Sequence, residues 1–171
     1  EATNDNSGYS VSMNSAGDRV AIGAYANDGA GSNAGHVRVY EYSNSSWSQL
    51  DSDIDGEAES DYSGCSVSLS SDGSRVAIGA YLNDGTGTAA GHVRVYDYVN
   101  GSWTQVGEDI NGEAESDKSG RSVSMNSAGD RVAIGAYGND NTFSNAGHVR
   151  VYDYVNGSWT QVGEDINGEA E

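Results

Sequence analysis

The heptapeptide RVAIGAY occurs three times without change, at residues 19–25, 75–81 and 131–137, so the copies stand 56 residues apart. The same offset relates Trp47, Trp103 and Trp159, then His36, His92 and His148, then Gly8, Gly64 and Gly120. A fixed long period means that one structural module is reused, and a module that cannot bury its apolar face alone must stack on its neighbours. Residues 57–112 and 113–168 differ at only 11 of 56 positions, most of them in or beside turns. Nearly equal parts build a periodic surface far more readily than one asymmetric pocket.

Within each module the apolar residues alternate with small or polar ones, which is the period of a strand. In the second copy the expected strands are 66–70, 75–81, 92–98 and 103–106, and the others follow at the same offset. Proline is absent, so the turns fall to Gly, Asn, Asp and Ser. The first hairpin turns at 70–74 (SSDGS). The last turns at Asn100-Gly101 and Asn156-Gly157, with Asn44-Ser45 as the first version, a pattern that favours the mirror-image turns of tight hairpins. The connection between them varies most, as ANDGAGSNAG at 26–35, LNDGTGTAAG at 82–91 and GNDNTFSNAG at 138–147.

Four antiparallel strands per repeat describe a propeller blade. The expected fold is therefore all-β: three tandem four-stranded antiparallel blades of 56 residues in a single array over 1–171, at about 7–56, 57–112 and 113–168. In the first copy Val11, Met13, Val20, Ile22, Val37 and Val39 are expected on a thick face, and Ser10, Ser12, Ala21 and Gly23 on a thin one that the next blade approaches closely. Val20, Ile22, Val76, Ile78, Val132 and Ile134 should pack between blades, with Trp47, Trp103 and Trp159 as anchors on the outermost strands. Three blades fall short of the roughly four to eight that close a ring. Glu1-Ala2 and Glu169-Ala170 share one phase of the repeat, so no blade is split, and one face at each end needs cover from another copy or from a longer array.

The pattern Gly64-x-Ser66-Val67-x-Leu69, followed by Gly79-Ala80, resembles the FG-GAP class of β-propeller repeat found in integrin α-subunits and in secreted microbial and algal proteins. Ser7, Ser63 and Ser119 stand where that pattern has Phe, and Tyr25, Tyr81 and Tyr137 where it has Pro. The resemblance implies an extracellular module. Calcium-binding members carry an acidic loop in the first hairpin. The corresponding turns here, at 14–18, 70–74 and 126–130, are too short and too poor in carboxylates for that site to be carried over.

Acidic residues outnumber basic ones 26 to 8, a net charge of -18, which excludes nucleic acid and anionic membranes as partners. No apolar run reaches the length of a membrane span. The stretch Asp51-x-Asp53-x-Asp55-Gly56 could offer alternate oxygens to calcium, but of its three carboxylates only the middle one persists, as Asp109 and Asp165. Asp28, Asp84 and Asp140, each after an Asn, are a second set of candidate ligands, set against the turn bonding that Asn and Asp make without an ion. Calcium is the one candidate cofactor. The three histidines open the third strand of separate modules and are expected to hydrogen-bond rather than share one ion. Arg19, Arg38 and their copies are expected to form ion pairs between blades, and Cys65, equivalent to Tyr9 and Arg121, to face solvent.

Asn44, Asn100 and Asn156 each begin an N-x-Ser sequon at the last hairpin and are candidate glycosylation sites. No nucleophile set, phosphate loop or zinc-spaced cluster is visible, so the chain is not expected to be an enzyme. The expectation is an extracellular structural or adhesive repeat protein that self-associates into a ring or filament. The alternative is a cation-dependent propeller module that binds a ligand or glycan through its variable loops.

Overall fold

The last hairpins close as their sequence demands. Asn100 and Gly101 take φ of 53° and 90°, Asn156 and Gly157 51° and 89°, and Asn44 and Ser45 50° and 64°. Two successive positive φ values match the twist of the flanking strands. The computed structural model describes residues 2–140 and 143–169. Glu1 and Ala170, used above to set the phase, and positions 141 and 142 of the third variable loop lie outside them.

Three antiparallel sheets follow one another. The first holds β1 (Ser10–Met13), β2 (Arg19–Ala24), β3 (His36–Ser43), β4 (Ser46–Gln49) and β5 (Ile54–Asp55). The second holds β6 (Ser66–Leu69), β7 (Arg75–Ala80), β8 (His92–Val99), β9 (Ser102–Gln105) and β10 (Ile110–Asn111). The third holds β11 (Ser119–Met125), β12 (Arg131–Ala136), β13 (His148–Val155), β14 (Ser158–Gln161) and β15 (Ile166–Asn167). The unexpected fifth strand continues the fourth: β4 pairs with the far half of β3, and β5 with His36 and Val37 at its start. Asp51, Gly107 and Gly163, with φ of 63°, 73° and 74°, kink each outer edge between the two pieces.

Register corrects the assignment of faces. Ala21 lies opposite Val39 and Gly23 opposite Val37, so Val37 and Val39 share a face with the small residues rather than with Val20 and Ile22. Cross-strand partners point to the same side, and that rule outranks bulk. Each blade thus presents one face of Ser, Ala and Gly beside two valines, and another of Val and Ile beside His, Arg and Tyr. At the first seam Ala21, Val37, Val39 and Ile54 bury Val67, Leu69, Val76, Ile78 and Tyr96. At the second, Ala77, Val93, Val95 and Ile110 bury Val132, Ile134 and Tyr152.

The seams are also hydrogen-bonded. Ser10 and Ser66 donate to the Gly64 and Gly120 carbonyls, each at 2.7 Å, while Ser12 and Ser68 accept from the Leu69 and Met125 amides, each at 2.9 Å. The indoles of Trp103 and Trp159 donate back to the Leu50 and Val106 carbonyls at 3.1 and 2.8 Å. Trp47, in the first sheet, meets no such carbonyl among the described residues and is 45% exposed. Cys65, expected at the surface, is buried instead. Its blade is flanked on both sides, its thiol lies 3.3 Å from the Gly79 carbonyl, and burial raises its pKa.

Arg121 of the third blade donates to the Tyr9 hydroxyl of the first at 2.8 Å. Stacked sheets stand about 10 Å apart, so in a straight pile the outer two would be separated by about 20 Å. Their contact means that the three blades curve about a common axis.

Candidate functional site

Two features stand out: the unpaired faces at the ends of the arc and a recurring polar cluster at its seams. On the first blade Val11 and Met13 are 63% and 58% exposed, whereas their equivalents Val67 and Leu69 are buried at 8% and 7%. Val20, Ile22, Tyr40 and Trp47 line a shallow apolar groove of about 290 Å³ on the same face. On the last blade Ile166 is 61% exposed against 4% for Ile110. A groove of about 340 Å³ opens there among Ser122, Gly135, Ala136, His148, Val149 and Ile166. These are the two kinds of surface that mate inside the array.

The seam cluster forms around the histidines. His92 Nδ1 lies 3.7 Å from Asp109 and 3.9 Å from Glu57, and His148 Nδ1 lies 3.6 Å from Asp165 and 3.9 Å from Glu113. In the first blade His36 stands 3.4 Å from Asp53 and 4.0 Å from Asp55. The expected structural hydrogen bonds fail for the inner two histidines. Neither ring nitrogen of His92 or His148 has a hydrogen-bond partner among the described residues, since the facing carboxylate oxygens stand 3.6–3.9 Å away, beyond hydrogen-bond reach.

Burial and the nearby Arg94 guanidinium hold the His92 pKa down to about 4, against the opposing pull of Asp109 and Asp61; Glu57 also faces the ring. The unfolded chain takes up a proton near pH 6.5 while the folded one does not, so this histidine's contribution to stability is complete above pH 6.5 and is lost as pH falls towards 4. The loss should reach about 3 kcal/mol. Urea unfolding at pH 7 and pH 4.5 checks it: the drop should be smaller in His92→Gln than in the wild type.

The acidic candidates separate. Asp51 accepts from the Trp103 amide at 3.1 Å across the seam, and Asp53 is clamped by Arg38 through two 2.9 Å bonds and by Gln49 at 2.6 Å. The Arg38 bond is the main cause of the lowered Asp53 pKa. Only Asp53 and Asp55 of that stretch come together, beside His36. Asp28, Asp84 and Asp140 accept from the amides of Asn33, Ala89 and Asn145 within their own loops. Asn44, Asn100 and Asn156 are exposed at their hairpins.

The arginines divide into two sets. Arg19, Arg75 and Arg131 pair within their own blades with Glu41, Asp97 and Asp153, which register places opposite them, rather than between blades. Arg94 and Arg150 do cross the seam, to Glu57 at 3.3 Å and Glu113 at 3.2 Å. Sequence reading missed Glu57 and Glu113 as partners, and it also missed buried Asp61 and Asp117, which accept from Asn83 and Asn139. The constant spacing of 17 residues from His92 to Asp109 and from His148 to Asp165 was a usable signal for the cluster.

Residues 53–96 match the FG-GAP repeat. The matched segment runs from the end of the first blade into the third strand of the second, so the matched unit straddles a seam. No curated protein matches the sequence. Among solved structures the chain is similar to a provisionally named 6-phosphogluconolactonase of Bacteroides uniformis, at 11% identity and a TM-score of 0.61 over 92% of this chain and 40% of that one. It is likewise similar to Saccharomyces cerevisiae Sqt1, at 15% and 0.58 over 95% and 36%, and to Kuenenia stuttgartiensis hydrazine synthase, at 13% and 0.55 over 92% and 36%. At such identities the likeness is one of fold, that of β-propellers. The chain spans about two fifths or less of the length of these structures. No helix among the described residues is long and apolar enough to cross a membrane.

Proposed function

We propose that this FG-GAP chain is an extracellular structural or adhesive module, without catalytic activity of its own, that completes its propeller by binding a second copy of itself. The observation that carries the reading is the pairing of exposed ends: Val11, Met13 and Trp47 at one, Ile166 and the groove beside Gly135 at the other. Within the chain, surfaces of these two kinds meet twice with seven to nine buried residues at each seam. Curvature of the arc favours closure over an open filament, and two copies make six blades, inside the range that closes. Extracellular placement is supported by the FG-GAP match and by the exposed sequons.

Light scattering after size exclusion tests this. The expected mass is about 36 kDa, twice the 17.8 kDa chain. Val11→Asp with Met13→Asp, or Ile166→Asp alone, should return the mass to one chain with the β circular dichroism unchanged, because these side chains touch little within a single arc. A wild-type chain that stays at 17.8 kDa at high micromolar concentration overturns the reading.

A further inference from the structure

Each carboxylate beside the inner histidines has one oxygen tied down and the other left facing the ring. Asp109 Oδ1 accepts from Gln105 at 2.7 Å, leaving Oδ2 towards His92. Glu57 Oε1 is engaged by Arg94, itself anchored at 2.8 Å on the Asp55 carbonyl, leaving Oε2 towards the same nitrogen. The next seam repeats the arrangement atom for atom: Gln161 holds Asp165 Oδ1, Arg150 holds Glu113 Oε1, and Oδ2 and Oε2 face His148. Outer partners that orient carboxylates in this way are characteristic of the surroundings of a metal site.

The rings themselves are the second observation. The side chains of His92 and His148 are 1% and 0% exposed, and both nitrogens of each lack a hydrogen-bond partner among the described residues. Leaving such a group unsatisfied costs about 1–3 kcal/mol, and here it recurs at two seams. The gaps of 3.6–3.9 Å exceed a hydrogen bond, yet ligand atoms about 2.0–2.2 Å from one ion stand roughly 3–4 Å apart.

We propose that each inner seam binds one first-row divalent metal ion, Zn²⁺ by donor chemistry, through His92, Asp109 and Glu57 at one and through His148, Glu113 and Asp117 at the other, where Asp165 Oδ2 also faces the ring. One imidazole and two carboxylates suit such an ion, whereas calcium takes six to eight oxygens. Glu57 and Glu113, with side chains 43% and 38% exposed, leave an entry path and room for water as a further ligand. Because Glu57 belongs to the linker after the first sheet, the ion would staple that linker to β8 and β10. In the first blade His36, Asp53 and Asp55 come together instead, both oxygens of Asp53 are held by Arg38, and Glu1, the equivalent of Glu57, lies outside the described residues.

The proposal is independent of self-association, since both sites lie within one chain. Calorimetric titration of the chelator-treated chain with Zn²⁺ should give two equivalents and a raised melting temperature, while Ca²⁺ should give neither. Asp109→Asn, at a partly exposed side chain that the fold can spare, should remove one equivalent, as should His92→Gln. His92→Gln with His148→Gln should remove both. Retention of two equivalents in Asp109→Asn and His92→Gln, equal binding of Ca²⁺, or no stoichiometric Zn²⁺ binding by the wild type would each overturn it.

Discussion

Gly79→Val should destabilise the chain by more than about 4 kcal/mol, read as a collapse of the urea midpoint. A Cβ at Gly79 would overlap the Gly120 carbonyl, a backbone atom of the next blade that cannot rotate aside, and would crowd the Ser66 hydroxyl that donates to it. Clearing the overlap means separating the second and third blades, which exposes Val132 and Ile134, now 0% and 2% exposed. Gly135 is the same residue one repeat later. There the one tight contact of a Cβ is the Ser122 hydroxyl, which can turn away, the Ser122 carbonyl lying at ordinary contact distance, so Gly135→Val should change single-chain stability by about 1 kcal/mol or less. If a second copy docks on that face as Gly120 docks on Gly79, the same substitution should abolish the dimer. A Gly135→Val chain that still runs at double mass places the contact elsewhere.

Ile78→Ala should cost about 3–4 kcal/mol, and Ile134→Ala a similar amount, because both side chains are enclosed and their removal leaves a cavity as well as losing transfer energy. Ile22→Ala, in the identical heptapeptide, should cost only about 1 kcal/mol at concentrations where the chain is single, since that side chain is only half-buried. Raising the concentration until copies pair should increase the penalty towards that of Ile78, as binding stabilises only the folded form that carries the full face. Denaturant melts of the three variants at two protein concentrations check this. Equal penalties at the lowest concentration would mean that the first face is already covered in a single chain.

Much of the architecture was legible because it rests on local chemistry. The positive φ of Asn100 and Gly101 follows from residue type, the strand positions from alternation and the repeat from identity, so the hairpins fall where they were expected. The faces were less legible. Val37 and Val39 read as partners of Ile22 on bulk alone, but the register sets Val37 opposite Gly23 and Val39 opposite Ala21. The histidine cluster was half legible: the acidic candidates included Asp109 and Asp165, while Glu57 and Glu113 lie 35 residues before their histidines and reach them only through the fold. Cys65 shows the same gap, since its repeat equivalents are Tyr and Arg and only the neighbours on both sides bury it.

By itself the sequence determined a module and its threefold use, since a strand's period and a turn's backbone angles depend on residues a few positions apart. Only the tertiary structure decided which copy of an identical segment is core and which is surface. Ile22, Ile78 and Ile134 share every near neighbour in the chain, and what separates them is whether another blade lies against them. Burial depends on the neighbouring blade and not on the local sequence, so the same isoleucine can be enclosed at two places and left half-open at a third.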